Sequence, residues 1–405
     1  MSPARSSTAS RSGGPSRRAH TGHPSSRTST RPPARTGRFR PSGFTLLLSL
    51  TVALDVIGLV MVLSASSVEA LSQYGSSWVF FEKQLLWVAL GAVAMVVTSR
   101  VDYRRWRRLA RPLMVLTVLL LLAVLVPHVG VSVSGSSRWL GFGTFRFQPS
   151  ELAKLSLTLF AADLLARRMD QTGEPRRALG GVVIAYLITA ALIFRQPDMG
   201  TALVISAIVL GLLFGAGMPR VTMAKLTGTA IGGAFILGMI EPYRRARLLS
   251  FLHPWADRST SGYQVVQSLV GLGSGGIAGV GLGASRAKWG FLPNAYTDFI
   301  FAVIGEELGL IGAVMVVGLF AAFAVVGLRV AKRAPDRFGL LLAVGISVWV
   351  TAQAILNMGA VIGILPVTGV PLPLVSFGGS SLTIMMGAIG MLLNVARQQR
   401  RAAVR

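Results

Sequence analysis

The feature that most constrains this chain is a series of apolar runs, each long enough to cross a lipid bilayer. The hydrocarbon core of a bilayer is about 30 Å thick, and a helix needs roughly 20 apolar residues to cross it. Only 14% of the 405 residues are charged, whereas soluble domains carry about 25%. The sequence therefore predicts an all-α, polytopic membrane protein. Its ten predicted spans are residues 44–65, 79–98, 110–127, 150–167, 179–195, 199–217, 221–240, 299–328, 338–362 and 380–396.

Positive charge sets the predicted orientation of these spans. Arginine and lysine cluster in the even-numbered loops and at both termini, and such clusters mark the cytoplasmic side of a membrane protein. We therefore predict that both termini are cytoplasmic. The outward segments are then residues 66–78, 128–149, 196–198, 241–298 and 363–379.

The chain divides into a tail, a membrane domain and a short basic end. Residues 1–42 form a basic tail without acidic residues, which is typical of a disordered segment. Residues 43–398 form the predicted transmembrane domain, and residues 399–405 form a basic C-terminus. Within the domain, residues 241–298 make up a large outer loop between the seventh and eighth spans. Loops of this length are usually functional.

Composition excludes several classes of function. The chain has no cysteine, which rules out disulfides and thiolate metal sites, and its four histidines are scattered. A net charge of +25 would suggest nucleic-acid binding in a soluble protein. Here the arginines flank apolar runs, so they indicate contact with anionic membrane lipids and not with nucleic acid.

Two outer segments place polar residues at the start of the fourth and sixth spans. Pro149 and Ser150 can begin the fourth helix, with Ser150 as its N-cap. Glu151 and Lys154 then share one helical face. A lysine at this depth is costly and usually faces a cavity, where it could bind a phosphate or pair with a carboxylate only to fix packing. Asp198 is interpreted mainly as the cap of the sixth helix.

Carboxylates gather where the large outer loop meets the eighth span. Asp298, Glu306 and Glu307 lie at the outer end of this apolar run, and intramembrane acids are functional candidates. The glycine-rich stretch 271–283 is only a weak match to a phosphate-binding loop. It is predicted to form tight turns and close backbone contacts.

The segment before the last span is also unusual. Residues 365–381 contain three prolines and a Gly-Gly-Ser-Ser run, so they cannot form a continuous helix. Their free N–H and hydroxyl groups could hold sugar or phosphate oxygens, or the segment could be a re-entrant packing loop. Gln353 and Asn357, four residues apart, are predicted to form hydrogen bonds between helices.

Together these motifs resemble the SEDS family (shape, elongation, division and sporulation), which includes FtsW, RodA and SpoVE. The basic tail and the run from Pro293 to Phe301 are most similar to FtsW of actinobacteria, while the RodA and sporulation branches stay open. Many members have Glu-Ala-His where this chain has Asn294-Ala295-Tyr296, so any proton transfer by that histidine is lost here. The matching segments, in the family's order, are residues 135–140, 148–155, 196–201, 273–283, 293–307 and 365–381.

The resemblance implies a peptidoglycan glycosyltransferase in the bacterial plasma membrane. Its substrate would be lipid II, an undecaprenyl-pyrophosphate-linked disaccharide-pentapeptide, polymerised outside the membrane at the division septum. Its partners would be a class B penicillin-binding protein similar to FtsI and other division proteins. A divalent cation, Mg²⁺ or Mn²⁺, could share the pyrophosphate charge, although the sequence contains no dedicated metal motif.

The resemblance also assigns roles to single residues. The family's essential aspartate corresponds to Asp298, the predicted general base or orienter of the acceptor hydroxyl. Lys154 and Arg138 are the predicted contacts of the leaving-group oxygens. Glu151 is predicted to position the Lys154 side chain. The sequence offers one strong base candidate and no obvious nucleophile for a double displacement. This predicts a single displacement with inversion at the anomeric carbon. Further candidates for substrate contact are Trp139, Gln148, Arg244, Arg245, Thr297, Ser376, Gly378, Gly379, Ser380 and Ser381.

Two other functions compete with this prediction. A lipid flippase would also combine buried charge with broken helices, and Asp55 inside the first span fits transport. The polar motifs nevertheless crowd the outer face, whereas a transporter needs a midplane site. A non-catalytic division scaffold would use the tail and the large loop for recruitment, and would tolerate replacement of Asp298 and Lys154.

Overall fold

The computed structural model describes residues 42–133, 136–142, 145–240, 245–246, 249–256, 258–260 and 262–402. Most of the predicted tail, Arg244 and the last three residues lie outside these ranges. Long helices occupy all ten predicted spans, and a further helix, α8, lies in the described part of the large outer loop. The helices are α1 (Gly43–Tyr74), α2 (Val79–Arg100), α3 (Tyr103–Leu125), α4 (Pro149–Thr172), α5 (Arg176–Arg195), α6 (Met199–Gly215), α7 (Arg220–Ile240), α8 (Tyr263–Gly275), α9 (Ile300–Lys332), α10 (Arg337–Val361) and α11 (Gly379–Ala402).

The helices have the length and apolarity that a membrane requires. Among the described residues, eight helices are long and apolar enough to cross a bilayer. Helix α6 is shorter, at 17 residues, and α4 carries buried Glu151, Lys154 and Asp163. Charged side chains are tolerated at such depth where other protein segments cover them. The fold is thus the predicted all-α polytopic membrane architecture.

The outer segments contain regular structure that the sequence did not predict. An antiparallel sheet of three strands, in the order β1–β2–β3, connects α3 to α4. Its strands are β1 (Gly130–Val133), β2 (Ser136–Phe142) and β3 (Phe145–Phe147). These strands are short, and α8 is bounded by glycines, so neither gives a periodic signal as strong as a transmembrane run.

Helices α10 and α11 form the centre of the bundle. Helix α10 packs against α4, α6 and α9, and α11 packs against α2. Trp349 in α10 is fully buried, as is Phe323 in the neighbouring α9. Helix α7, in contrast, packs chiefly on α6 and leaves most of its apolar side chains exposed. Such exposure suits a helix whose neighbours are lipid tails.

A glycine contact joins the large outer loop to α9. Gly309 has a φ of 67° and breaks the regular helix there. A Cβ added at Gly309 would lie 2.4 Å from the carbonyl oxygen of Ile277, and one at Gly275 would lie 2.0 Å from that of Gly305. Only glycine permits both this backbone conformation and this approach. The close backbone packing predicted for the glycine-rich stretch is therefore confirmed.

Candidate active site

Asp298 lies in a tight turn immediately before α9, which we call the aspartate turn (residues 294–299). Asn294 starts the turn with a positive φ of 60°. Its carbonyl accepts the N–H groups of Thr297 at 3.1 Å and Phe299 at 3.3 Å. The Asp298 side chain is only half-buried, whereas the flanking Phe299 is 2% exposed. The turn therefore presents a carboxylate at the predicted outer end of the bundle.

A non-helical segment, the proline loop (residues 362–378), lies beside this carboxylate. A Cβ added at Gly369 would be 3.5 Å from the Asp298 Oδ2 atom. The Ser376 hydroxyl donates to the Thr297 carbonyl at 2.5 Å and accepts the Leu372 N–H at 2.8 Å. The Phe377 N–H donates to the aspartate turn as well, at 3.0 Å from the Tyr296 carbonyl oxygen. The predicted break in the helical pattern is thus confirmed, and it forms one wall of the site.

Asn357 fastens the aspartate turn to the proline loop. Its Nδ2 group donates to the Asp298 carbonyl at 2.7 Å and to the Val370 carbonyl at 2.8 Å. The side chain is 2% exposed, so water competes little with these bonds. Asn357 therefore connects α10 to two loops rather than to another helix. It fixes the backbone of the proposed base.

The end of the proline loop meets the start of α4. The Ser380 hydroxyl accepts the backbone N–H of Gln148 at 3.2 Å. Gly379 packs against the Trp87 ring, where an added Cβ would come within 2.8 Å. Gly378, Gly379 and Ser381 are half-buried, whereas Ser376 and Ser380 are buried. The structure thus brings the Gly-Gly-Ser-Ser run and Gln148 together at the predicted outer side.

A polar cluster joins α4 to the turn before α6. Gln148 Nε2 donates to Ser150 Oγ at 2.9 Å and to Asp198 Oδ2 at 3.2 Å. The other oxygen of Asp198 accepts the Thr201 N–H at 3.1 Å, which confirms its predicted capping role. The predicted N-cap role of Ser150 is wrong. Pro149 occupies the first helical position and Gln148 the cap, so the Ser150 hydroxyl points at Asp198 instead, 3.2 Å away.

Below this cluster lies a completely buried ion pair. Lys154 Nζ donates to Glu151 Oε1 at 2.8 Å and to Gln353 Oε1 at 2.9 Å. The same Gln353 oxygen accepts the Trp349 indole N–H at 3.0 Å, and the Gln353 amide donates to the Pro371 carbonyl at 3.0 Å. Lys154 is 0% exposed. The pair is thus linked through α10 to the proline loop beside Asp298.

The other predicted cationic contacts differ in their surroundings. Arg138 in β2 donates from Nε to the Gln196 carbonyl at 2.9 Å, and a second guanidinium nitrogen donates to the Pro197 carbonyl. These bonds hold the turn between α5 and α6. The neighbouring Trp139 is half-buried, and Arg245 is exposed. Arg244 lies outside the described residues.

Glu306 and Glu307 anchor the large outer loop to α9. Glu306 accepts the backbone N–H groups of Arg286 at 2.9 Å and Ala287 at 3.2 Å, and also the Ser285 hydroxyl. Glu307 accepts the Ser64 hydroxyl at 2.6 Å. N–H and O–H groups that donate hydrogen bonds to a carboxylate disfavour the binding of a cation to the same oxygens. Within the described part of the chain, no three His, Asp or Glu side chains group as metal ligands would.

The ring of Tyr296, in the aspartate turn, packs against two phenylalanine rings. Its ring centroid lies 4.7 Å from that of Phe80 and 5.8 Å from that of Phe377. Its hydroxyl donates to Glu69 Oε1 at 3.3 Å. Burial, followed by the negative charge of Glu69, raises the pKa of the Tyr296 phenol above its ordinary value. Glu69 lies 227 residues away in sequence, so no local pattern could have revealed this contact.

The fold and the site define a class: a polytopic membrane protein with a half-exposed carboxylate at one end of its bundle, backed by a buried polar network. A family model described as "cell cycle protein" and named for FtsW, RodA and SpoVE matches residues 44–401. The chain belongs to this family.

Similar proteins agree with this assignment. The probable peptidoglycan glycosyltransferase FtsW of Mycobacterium tuberculosis is 43% identical over 376 residues, covering 92% of this chain and 72% of that protein. The stage V sporulation protein E of Bacillus subtilis is 43% identical over 359 residues, covering 88% and 97%. Among solved structures, a chain of a peptidoglycan synthase complex that coordinates polymerization and crosslinking has a TM-score of 0.70 at 30% identity, covering 87% of this chain and 97% of that chain.

A second solved structure also agrees. The rod shape determining protein RodA of Thermus thermophilus has a TM-score of 0.64 at 29% identity, covering 87% of this chain and 96% of that chain.

Proposed function

We propose that this chain is a peptidoglycan glycosyltransferase that polymerises lipid II into glycan strands at the outer face of the plasma membrane. The names of its relatives support the activity. The single observation that carries the site is Asp298, a half-exposed carboxylate immediately before the buried first turns of α9. The surrounding backbone is fixed by Asn357 and Ser376, so the carboxylate can be held in one position against a substrate hydroxyl.

The reaction is a single displacement. The acceptor sugar hydroxyl transfers its proton to the Asp298 carboxylate as its oxygen attacks the anomeric carbon of the donor sugar. The bond from that carbon to the pyrophosphate oxygen breaks, and undecaprenyl pyrophosphate leaves with the electron pair. A positioned base of this kind typically accelerates a reaction by about 10²- to 10⁴-fold.

The negative charge that develops on the leaving pyrophosphate needs positive charge nearby. Lys154 remains our proposed source, although it is buried and bound to Glu151 and Gln353. At this position its positive charge would stabilise the leaving group from the side of the proline loop, to which Gln353 connects it. Arg138 is proposed to contribute as it holds the turn between α5 and α6. A divalent cation stays a prediction, and no step of this mechanism depends on one.

The proposed cellular context is septal cell-wall synthesis with a class B penicillin-binding protein. Support comes from the similar solved chain, which belongs to a complex that coordinates polymerization with crosslinking. Such a partner would crosslink the strands that this chain produces. The FtsW branch is favoured by the motifs around Asp298, and similar relatives carry both FtsW and sporulation names.

The test is polymerisation of labelled lipid II by the purified full-length protein in liposomes, with and without a class B penicillin-binding protein. Wild-type protein should produce glycan polymer on a gel, and Asp298→Ala should produce none while remaining folded in the membrane. Polymer of wild-type yield from a folded Asp298→Ala protein would refute the assignment. Lipid II crossing between leaflets without polymer would favour the flippase instead.

A further inference from the structure

A half-open cleft of about 960 Å³ lies at the opposite end of the bundle from Asp298. It is formed where the end of α2, the start of α3, the loop after α9 and the end of α11 meet the start of α1. By the charge distribution along the sequence, these ends are cytoplasmic. Its polar lining includes Ser99, Arg100, Arg104, Asn394, Arg397 and Gln398.

Three arginines from three different helices converge on this cleft. Arg104 pairs with Asp336 at 2.8 Å. Arg100 and Arg397 have no hydrogen-bond or ion-pair partner among the described side chains. The acid of the lining, Asp102, caps α3 and accepts the backbone N–H of Arg104 at 3.0 Å. A basic residue at a helix C-terminus is explained by its favourable interaction with the helix dipole. That interaction does not explain why two unpaired guanidinium groups line the same cleft.

The floor of the cleft is polar and hydrogen-bonded. Asn394 is 4% exposed, and its Nδ2 group donates to the Ser99 carbonyl at 2.7 Å. Its Oδ1 atom accepts the Tyr103 N–H at 3.0 Å and the Gln398 amide at 3.0 Å. These bonds fasten α2, α3 and α11 together beneath the arginines. The three arginines are therefore carried by helices that hydrogen bonds connect to one another.

The rim of the cleft is apolar on the side of the bilayer. Phe44 in α1 is half-buried, and Val96 in α2 is 44% exposed, so both can touch lipid tails. We propose that the cleft binds the phosphate of an anionic phospholipid of the inner leaflet, with the acyl chains leaving past this rim. Arginine binds phosphate oxygens in a bidentate geometry. The chain's own tail is not a fitting occupant, because residues 1–42 contain many arginines and no acid.

The experiment is native mass spectrometry of the full-length protein in detergent with added phosphatidylglycerol or phosphatidylcholine. Wild-type protein should retain phosphatidylglycerol selectively. The double variant Arg100→Gln/Arg397→Gln should lose this selectivity by about tenfold or more, since each basic residue near a membrane contributes roughly fivefold. The matched control is Arg105→Gln/Arg108→Gln, which removes two exposed arginines of the neighbouring α3 that do not line the cleft. It should retain lipid like the wild type.

Three results would overturn the proposal. The double variant could retain as much phosphatidylglycerol as the wild type, or the control could lose as much as the double variant, which would indicate general charge alone. Inorganic phosphate at about 10 mM, added at a constant ionic strength of about 0.15 M, could also displace the bound lipid, and the source would then be free phosphate. Because none of these arginines lies near Asp298, lipid II polymerisation in detergent should continue in both variants, which shows that they are folded.

Discussion

The aspartate turn and the Glu151–Lys154 pair both place charge within the bundle, but they differ in what surrounds that charge. Asp298 is half-exposed and keeps its carboxylate at the surface of the site. Lys154 is 0% exposed and its charge is matched by Glu151 at 2.8 Å. A reacting group must be exposed enough to contact the substrate, whereas the charges of a buried pair must be balanced by partners within the protein. The comparison separates the proposed base from the network that supports it.

The two regions are also connected. Gln353 accepts from Lys154 and donates to the Pro371 carbonyl of the proline loop. One helical turn away, Asn357 donates to the carbonyls of Asp298 and Val370. The buried pair therefore supports the same loop that lies beside the base. Damage to the pair should reach the site through the fold, whereas damage to the base should not disturb the fold.

The largest effect is expected for Asp298→Asn. The amide keeps the shape of the side chain but cannot accept a proton, so polymerisation should fall by about 10²-fold or more. The thermal unfolding temperature in detergent should stay near the wild-type value, because the side chain is half-exposed. Glu82→Gln, at an exposed carboxylate in the first turn of α2, is the control and should polymerise normally. An equal loss in both variants would mean that outer negative charge in general matters, not this base.

Lys154→Met should lower stability and activity together. It leaves Glu151 buried without a cation, and breaking a buried pair costs about 3–5 kcal/mol. The double variant Glu151→Gln/Lys154→Met removes both charges and should recover most of the unfolding temperature. If Lys154 also supplies charge to the leaving group, polymerisation stays low in the double variant. Full recovery of polymer yield would show that the pair is only a support.

Much of the fold was predictable because a bilayer imposes a strong local rule. All ten spans appear as helices where apolar runs are long enough, and the three prolines of residues 365–381 break the pattern as predicted. The cap by Asp198 and the close backbone packing of the glycine-rich stretch 271–283 were also predicted from short-range rules. The Ser150 cap was wrong, since Pro149 takes the first helical position and shifts the cap back to Gln148.

The partners of the site residues could not be predicted, because they come from distant parts of the chain. Ser64 and Glu307 are 243 residues apart, and Lys154 and Gln353 are 199 apart. Periodicity shows which face of a helix is apolar, but not which helix lies opposite. The small sheet and α8 escaped prediction for a related reason: their local signals are weak, and tertiary contacts stabilise them.

A smaller effect is expected where the two regions join, at Asn357. Asn357→Leu leaves the carbonyls of Asp298 and Val370 without a donor, and an unsatisfied buried group costs about 1–3 kcal/mol. We expect polymerisation to fall by about tenfold, because the aspartate turn loses its fixed position. Thr98→Val is the control, since it removes a buried bond of 2.8 Å between α2 and the Gly387 carbonyl of α11. A similar fall in polymer yield for both variants would indicate lost stability rather than lost positioning.

The smallest effect is expected for Tyr296→Phe. The lost hydrogen bond to Glu69 is long, at 3.3 Å, whereas the packing on Phe80 and Phe377 remains, so polymer yield should stay within about twofold of wild type, as for a weak hydrogen bond. Burial and Glu69 raise the pKa of the phenol, which keeps Tyr296 protonated and unable to act as a base at neutral pH. The pH–rate profile between about pH 6 and 9, below the ordinary tyrosine pKa, should therefore match that of the wild type. If the Phe variant lost the rise or the fall of the pH–rate profile, the Tyr296 hydroxyl would take part in proton transfer. Asp298 would then not act alone as the base of the proposed site.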